Sequence, residues 1–259
     1  MKSRSSAAYK KIAVQPSAEG QSLDCLREAS LFSNFTDKEI ARFRGAVPSR
    51  SYKKHEILYL EHKPAKLFYV IRSGWIKLFR TMPDGQEVIV DMLTANDMFG
   101  ESAIFEQDRH MCSAQVIEDA QLISIPSKLL NEQIRLNSKL ALNMLSFMSR
   151  HHRHHCGELA FNTTRSAPQR IGLFLLKLCQ RNQKDGTILH LPYDKTLIAD
   201  TLGMRPATFS RALNILRQKT AIRINGSRVE MDSVERLAKF VYGSLATKYL
   251  ARQQQSGAQ

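Results

Sequence analysis

The sequence predicts an α+β fold with an N-terminal antiparallel β-roll, a long dimerisation helix and a C-terminal winged helix-turn-helix. Three observations support this prediction. Short alternating apolar runs, separated by turn residues, fill 50–126 and are typical of antiparallel strands. Residues 127–161 keep helical apolar spacing and contain no proline. Two short amphipathic helices and a hairpin signal then occupy 191–231.

We divide the chain into five parts: a flexible tail at 1–22, the β-roll at 23–126, the dimerisation helix at 127–162, the winged helix-turn-helix at 163–243 and a polar tail at 244–259. A chain of 259 residues can bury two cores without disulfides. Its cysteines are scattered without metal-ligand spacing, which indicates a reducing cytoplasm and argues against an iron–sulfur cluster: Cys25, Cys112, Cys156, Cys179. No apolar run is long enough to cross a bilayer, so we expect no membrane association.

The N-terminal part begins with a predicted short helix and turn at Leu23–Phe35. Thr36 then starts another helix, with Glu39 completing a capping box. Strands are predicted at Ile57–Leu60, Leu67–Ile71, Trp75–Arg80, Glu87–Leu93 and Gln115–Ile125. The turns between them are Lys63-Pro64, Ser73-Gly74 and Pro83-Asp84-Gly85. The expected core comprises Leu58, Leu60, Phe68, Val70, Trp75, Ile76, Leu78 and Ile89.

Residues 127–161 predict one helix about 50 Å long, at 1.5 Å per residue. One stripe has the alternating four-three spacing of a two-stranded coiled coil: Leu140, Met144, Phe147, His151, His154, Glu158, Phe161. A second stripe lies beside it: Leu145, Met148, His152, His155, Leu159. One stripe suits the roll and the other a second subunit, which predicts a homodimer and a two-fold DNA site.

The C-terminal part is predicted to open with a helix at Ser166-Ala-Pro168, followed by a strand at Thr187–Leu191. Asp194 can N-cap the first helix of the helix-turn-helix, and Gly203 supplies the left-handed residue that ends it. Pro206 begins the second helix, where its missing N–H costs nothing. That helix turns one apolar stripe inward: Phe209, Ala212, Leu213, Leu216.

The outward face of this second helix carries small residues, hydroxyls and an arginine: Ala207, Thr208, Ser210, Arg211, Asn214. Such a face fits a major groove, where an arginine can contact guanine O6 and N7 bidentately. We expect Arg211 and Ser210 to read bases, with Asn214 beside them, and Thr208 and Arg205 to contact backbone or bases nearby. An ordinary packed helix pair with a solvated face is the alternative, and the hairpin that follows argues against it.

That hairpin is predicted from Ile222–Ile224 and Arg228–Met231, joined by Asn225-Gly226. Its arginines, Arg223 and Arg228, are expected near phosphates, where they add affinity without reading sequence. Asp232 and Glu235 predict a capping box for a last helix through Phe240. The net charge is +14, and 163–250 holds 15 Lys and Arg against 6 Asp and Glu. This excess points to double-stranded DNA as the partner.

The order of roll, long helix and winged helix-turn-helix resembles the Crp/Fnr superfamily of bacterial transcription regulators. The motifs are Phe99-Gly-Glu101, Gly157-Glu-Leu-Ala-Phe161 and LGMRPATFSRAL, and the resemblance covers Leu23 to Phe240. It implies a homodimer that binds a pseudo-palindrome, contacts RNA polymerase and senses an effector in a cyclic-nucleotide-binding-like roll. The stretch MPDGQEVIVDMLTANDMFGESAIF is similar to the Dnr/Nnr-type branch, which responds to nitric oxide or low oxygen, in some members through haem. That branch normally has Glu where Ala207 stands.

The resemblance places the effector pocket at Gly100, Glu101, Cys112 and Ser113. Cyclic-nucleotide binders of this family hold the phosphate with the Glu of Phe-Gly-Glu and an Arg just before a Ser/Thr-Ala pair. Here Cys112 takes that position, and Arg109 lies three residues earlier. Since a buried phosphate needs its charge-assisted partner, the residues argue against cAMP.

Histidines form the unusual cluster HHRHH at 151–155, where His151 and His154 share a helical face. Across a dimer seam they could bind a metal or haem iron, and His110 is a second candidate. A solvated basic helix end is the alternative. The rival function is a haem- or metal-binding sensor that signals through a protein partner, and a cyclic-nucleotide-responsive regulator is a further alternative. We expect no enzyme, because no activated nucleophile, phosphate-binding loop or paired carboxylates are visible.

Overall fold

The computed structural model describes residues 26, 31–32, 35–43, 49–101, 109–181, 188–191, 195–247 and 250–251, without the side chains of 150–151, 153–163 and 180–181. Its N-terminal part contains a short helix, α1, at Asp37–Ala41 and a six-stranded antiparallel sheet. The strands are β1 Ser49–Tyr52, β2 Ile57–Tyr59, β3 Leu67–Thr81, β4 Glu87–Leu93, β5 Met98–Phe99 and β6 Ser113–Pro126. The predicted α+β class is confirmed.

The sheet runs in the order β1-β6-β3-β4, with β2 also paired to β6 and β5 to β3. The prediction of two strands around a turn at Ser73-Gly74 is wrong, because β3 is one strand of 15 residues. Gly74 lies at a register shift with φ +92°, and a Cβ there would lie 2.5 Å from the Asp119 carbonyl oxygen. The glycine therefore permits a bulge and a close strand crossing, not a reversal.

Most of the predicted roll core is buried: Phe68, Val70, Trp75 and Ile76 are fully enclosed, and Leu58, Leu78 and Ile89 are half-buried. Leu60 is 42% exposed, so its placement in the core was wrong. The reason is that β2 ends at Tyr59, one residue before it. The short strands β1 and β5 were not predicted, since neither shows a clear alternation.

The single long helix predicted for 127–161 is two helices, α2 at Ser127–Leu136 and α3 at Ser138–Thr164. Asn137 separates them in an extended conformation, φ −136° and ψ 100°. Its side chain accepts a hydrogen bond from the Lys139 backbone N–H (3.0 Å) and donates one to Glu39 Oε1 (2.8 Å). Glu39 also completes the predicted capping box with Thr36, which is present.

The two apolar stripes of α3 have different surroundings. Leu140 and Met144 are buried against the roll, and Phe147 packs beside them. This part of the predicted coiled-coil seam therefore belongs to the chain's own core. Leu145 (62% exposed) and Met148, from the second stripe, face outward together with Leu142.

The C-terminal part contains α4 at Ala167–Arg181, α5 at Lys195–Thr201, α6 at Pro206–Thr220 and α7 at Val234–Tyr242. Three short antiparallel strands lie in the order β7-β9-β8: β7 Ile188–His190, β8 Arg223–Asn225, β9 Arg228–Glu230. The helices and the sheet share one apolar core, which reaches the roll at Trp75, Met92 and Ile117. The predicted winged helix-turn-helix is confirmed.

Local signals at the end of this part differ from prediction. Ser233, not Asp232, is the N-cap of α7: its side chain accepts from the Arg236 N–H, while Asp232 pairs with Arg223. The wing loop is Gly226-Ser227, one residue later than predicted, because Asn225 pairs with Arg228. Residues 244–247 and 250–251, assigned to the polar tail, are helical, and Ala246 is buried. Asp194, Thr187 and the tail at 1–22 lie outside the described residues.

Candidate DNA-binding surface and effector pocket

The turn of the helix-turn-helix is fixed by backbone hydrogen bonds. Gly203 has φ +57°, its N–H donates to the Asp200 carbonyl, and the Met204 N–H donates to the Ala199 carbonyl at 2.8 Å. This pair of bonds is a Schellman motif, which satisfies the free carbonyls at the end of α5. Arg170 of α4 adds a donor, since its Nη2 bonds to the Leu202 carbonyl.

The helix α6 presents the predicted outward face. Phe209, Ala212 and Leu216 are buried beneath it. The predicted contact residues are all exposed: Arg205, Thr208, Ser210, Arg211, Asn214. Arg205 precedes Pro206 and gives no side-chain cap, and the Thr208 N–H donates to the Arg205 carbonyl at 2.9 Å. Arg211 lies back along its helix, with Nε donating to the Ala207 carbonyl at 3.2 Å, and can swing out to a base edge.

The wing arginines lie next to carboxylates. Arg223 pairs with Asp232 (Nη2–Oδ1 3.0 Å) and Glu230, and Arg228 pairs with Glu230 (Nε–Oε1 2.8 Å). Two positive and two negative charges therefore cancel on this surface. Exposed ion pairs of this kind are worth about 0–1 kcal/mol, so a phosphate can displace the carboxylates at little cost.

A cavity of about 450 Å³ opens between the roll and the middle of α3. This volume lies in the range of small-molecule sites, about 300–1,000 Å³. It is lined by Leu78, Arg80, Val90, Asp91, Glu101, Met111, Cys112, Phe147, Met148 and His152.

Of the predicted effector-pocket residues, the structure brings Glu101 and Cys112 to this cavity. Gly100 and Ser113 do not line it. Gly100 is buried with φ +87°, and a Cβ there would lie 2.9 Å from the Leu67 carbonyl oxygen. Ser113 is buried and its Oγ accepts a hydrogen bond from the Glu61 N–H.

Of the three candidate metal- or haem-binding histidines, His110 is the one whose side chain the structure describes. His110 lies in the aromatic core of the roll, with its ring stacked on Tyr59 at 3.5 Å between centroids. Burial lowers the pKa of His110 to about 4. The side chains of His151 and His154 fall outside the description, and no group of three His, Cys, Asp or Glu suited to a metal occurs among the residues described. The metal and haem assignments stay predictions.

The sequence analysis assigned no role at these sites to Arg80, Met148, His152 or Arg170. Arg80 lies two positions after Leu78 on the same face of β3, so strand alternation could have found it. Met148 and His152 lie one helical turn apart, and i to i+4 spacing predicts that they share a face. Nothing in the local sequence marks Arg170, because its partner is 32 residues away.

These features define the class of protein: a two-part DNA-binding transcription regulator, with an exposed helix α6 and a wing in its C-terminal part and a ligand-sized cavity between the roll and α3. Comparison with known proteins agrees. Residues 49–137 match the family model of the cyclic nucleotide-binding domain, and residues 169–240 match that of the Crp-like helix-turn-helix domain. The chain belongs to the Crp/Fnr family of transcription regulators.

Relatives match along most of the chain. It is 27% identical to a CRP-like cAMP-activated global transcriptional regulator of Mycobacterium tuberculosis, over 83% of this chain and 98% of the relative. It is 27% identical to the transcriptional activator protein Anr of Pseudomonas aeruginosa, over 72% and 78%. FixK2 from Bradyrhizobium japonicum shares the fold, with a TM-score of 0.66 at 23% identity, covering 74% of this chain and 95% of that chain. Among the helices described, none has the length and hydropathy that crossing a membrane requires.

Proposed function

We propose that this regulator works as a homodimer that binds a pseudo-palindromic operator in double-stranded DNA. The observation that carries the proposal is that the chain has both an exposed polar face on α6 and an exposed apolar stripe on α3. Leu142 and Leu145 are each more than 60% exposed, at i and i+3 of one helix. A two-fold pairing through such a stripe covers this apolar surface and gives two reading helices related by symmetry.

On the operator, α6 occupies the major groove and the wing approaches the phosphates. Arg211 and Ser210 read bases, Asn214 lies beside them, and Arg205 and Thr208 contact the backbone or bases nearby. Arg223 and Arg228 leave the carboxylates of Asp232 and Glu230 and bind phosphates instead. We further infer that the bound dimer contacts RNA polymerase and that it acts in the cytoplasm, where the DNA lies.

The effector is sensed in the cavity of the roll and its binding is relayed through α3. In support, Phe147, Met148 and His152 of α3 line that cavity, and the exposed stripe of the same helix includes Met148. A ligand in the cavity therefore contacts the helix that pairs the subunits. A sensor that docks on a protein partner instead of DNA is not favoured, because the matched helix-turn-helix model spans α6 and the wing.

The test combines subunit mass with DNA binding. Sedimentation velocity of the wild type is expected to give twice the chain mass of 29.5 kDa. Leu145→Glu introduces like charges across the pairing stripe and should sediment as a single chain. Its affinity for a duplex recovered by selection from a random library should fall at least tenfold. Met82→Glu, at an exposed apolar residue of the β3–β4 hairpin, is the matched control and should change neither property.

A wild type that sediments as a single chain and still binds the selected duplex tightly would contradict the homodimer.

A further inference from the structure

The cavity of the roll carries negative charge where a cyclic nucleotide would need positive charge. Asp91 of β4 and Glu101 after β5 both line it. Among the described residues that line it, the one Lys or Arg is Arg80, and its Nε is already 2.8 Å from Glu61 Oε1. The Glu61 side chain is only 13% exposed, so this pair lies in a partly desolvated setting. With neutral histidine, Asp91, Glu101, Glu61 and Arg80 sum to −2.

Cys112, next to Ser113, lies among the same carboxylates. The thiol of Cys112 faces the cavity, and its pKa is raised to about 12 by burial and then by the carboxylates of Glu101 and Glu61. Arg80 lowers this pKa only in part. A site that disfavours a thiolate also disfavours a phosphate.

Arg109, the nearest Lys or Arg before Cys112 in the sequence, does not line the cavity. Arg109 donates from Nη1 to the His62 carbonyl at 2.7 Å, and its backbone forms a bridge with Pro64. This hydrogen bond and the backbone bridge hold Arg109 at the 62–64 turn, so it cannot replace the missing phosphate ligand. The described residues of the cavity therefore do not fit a cyclic nucleotide.

Apart from His152, the rest of the described lining is apolar and partly open. Phe147 and Leu78 form the inner wall, while Val90, Met111 and Met148 are exposed at the mouth. Methionine side chains adapt to aromatic and aliphatic ligands of varied shape. The cavity thus combines an apolar surface, which can bind the apolar part of a ligand, with two carboxylates, which can accept hydrogen bonds from a cationic group of the same ligand.

We propose that this cavity binds an organic cation, with an aromatic or aliphatic body against Phe147, Leu78 and Met148 and an amine or related head at Asp91 and Glu101, and does not bind cyclic nucleotides. This inference rests on the proposed function of the cavity as the effector site. It concerns ligand charge alone, so its test needs no DNA. The proposed class of ligand can therefore be refuted by an experiment that leaves the proposed operator binding untouched.

The test uses two probes with the same apolar body and opposite head charge, tryptamine and indole-3-propionate, with cAMP as the nucleotide. Titration calorimetry of the full chain should show tryptamine binding at least about tenfold tighter than indole-3-propionate, the value of one charge-assisted pair. It should show no saturable binding of cAMP. Asp91→Asn with Glu101→Gln should abolish the preference, and Glu132→Gln, on the exposed side of α2, should keep it.

A second measurement applies if the double variant does not fold or if neither indole binds. In a chain with Cys25, Cys156 and Cys179 replaced by serine, Cys112 is modified by trimethylammonioethyl or sulfonatoethyl methanethiosulfonate. Relative to a free thiol in solution, the cationic reagent should be favoured at least about tenfold over the anionic one, because carboxylates surround the sulfur. Tight cAMP binding, a preference for indole-3-propionate, or equal rates with the two reagents would each overturn the proposal.

Discussion

His110 is a single side chain whose burial ties the stability of the roll to pH. It is 4% exposed, its ring lies at 6° to that of Tyr59, and its Nδ1 is buried without a hydrogen-bond partner in the described structure. The folded chain therefore favours the neutral imidazole, and the pKa falls to about 4 from the ordinary value of 6.5. The unfolded chain binds the proton first on acidification. Stability from this residue is complete above about pH 6.5 and is lost as the pH falls towards 4.

His110→Phe should remove this pH dependence, because phenylalanine keeps the planar ring on Tyr59 and does not titrate. Between pH 6.5 and 4 the wild type should lose up to about 3 kcal/mol more of its unfolding free energy than the variant. Urea unfolding at a series of pH values measures the difference. His62→Gln is the control, since the His62 side chain is 76% exposed. Equal losses in the wild type and His110→Phe would refute this account of His110.

Arg170 is a positioning residue for the reading helix. Its guanidinium donates a hydrogen bond to the Leu202 carbonyl at the end of α5. The helix dipole also favours a positive charge at this end of a helix. Arg170→Met should lower the unfolding free energy by about 1–3 kcal/mol, the cost of losing a hydrogen bond to a charged group. It should weaken specific operator binding several-fold and leave non-specific binding unchanged. Arg170→Lys should restore part of the loss; an equal fall in specific and non-specific binding would indicate a direct phosphate contact instead.

At the scale of elements, the sequence predicted what local periodicity determines and missed what distant partners determine. β4 was predicted with its observed ends, and Pro206 correctly began α6. Ser73-Gly74 has the composition of a turn, but its role as a bulge depends on Asp119 in β6. Asn137 ends α2 without a glycine or proline, and its partner Glu39 lies in another element. Neither relation is visible in a local window.

The wing offers a prediction at the same scale. Asp232→Asn with Glu230→Gln removes the carboxylates that hold Arg223 and Arg228. Affinity for any duplex should rise several-fold, and the slope of log affinity against log salt should steepen, because two negative charges no longer face the phosphates. The ratio of specific to non-specific binding should stay constant, because phosphate contacts carry no sequence information. Fluorescence anisotropy at several salt concentrations measures both, with Glu132→Gln as control; an unchanged slope would place the wing away from the phosphates.

At the scale of the whole molecule, the cavity and the reading helix are joined by packed elements. Val90 and Asp91 of β4 line the cavity, while Ile89 and Met92 of the same strand pack with the C-terminal core, where α5 contacts β4. Strand β4, whose pairing with β3 has a register shift at this point, thus offers a second route from the cavity to the helix-turn-helix beside α3. The sequence identified Glu101 and Cys112 from a motif, but the rest of the lining comes from three distant segments. Only the fold brings these segments together.

The central claim is that α6 reads a two-fold DNA site, and selection of duplexes from a random library by the full chain tests it most directly. The wild type should recover a pseudo-palindrome with half-site centres about one helical turn, 10–10.5 base pairs, apart. Arg211→Ala should recover no consensus at the contacted guanine and bind all duplexes weakly and in a strongly salt-dependent way. Recovery of the same consensus by Arg211→Ala, or no consensus with the wild type, would contradict the account.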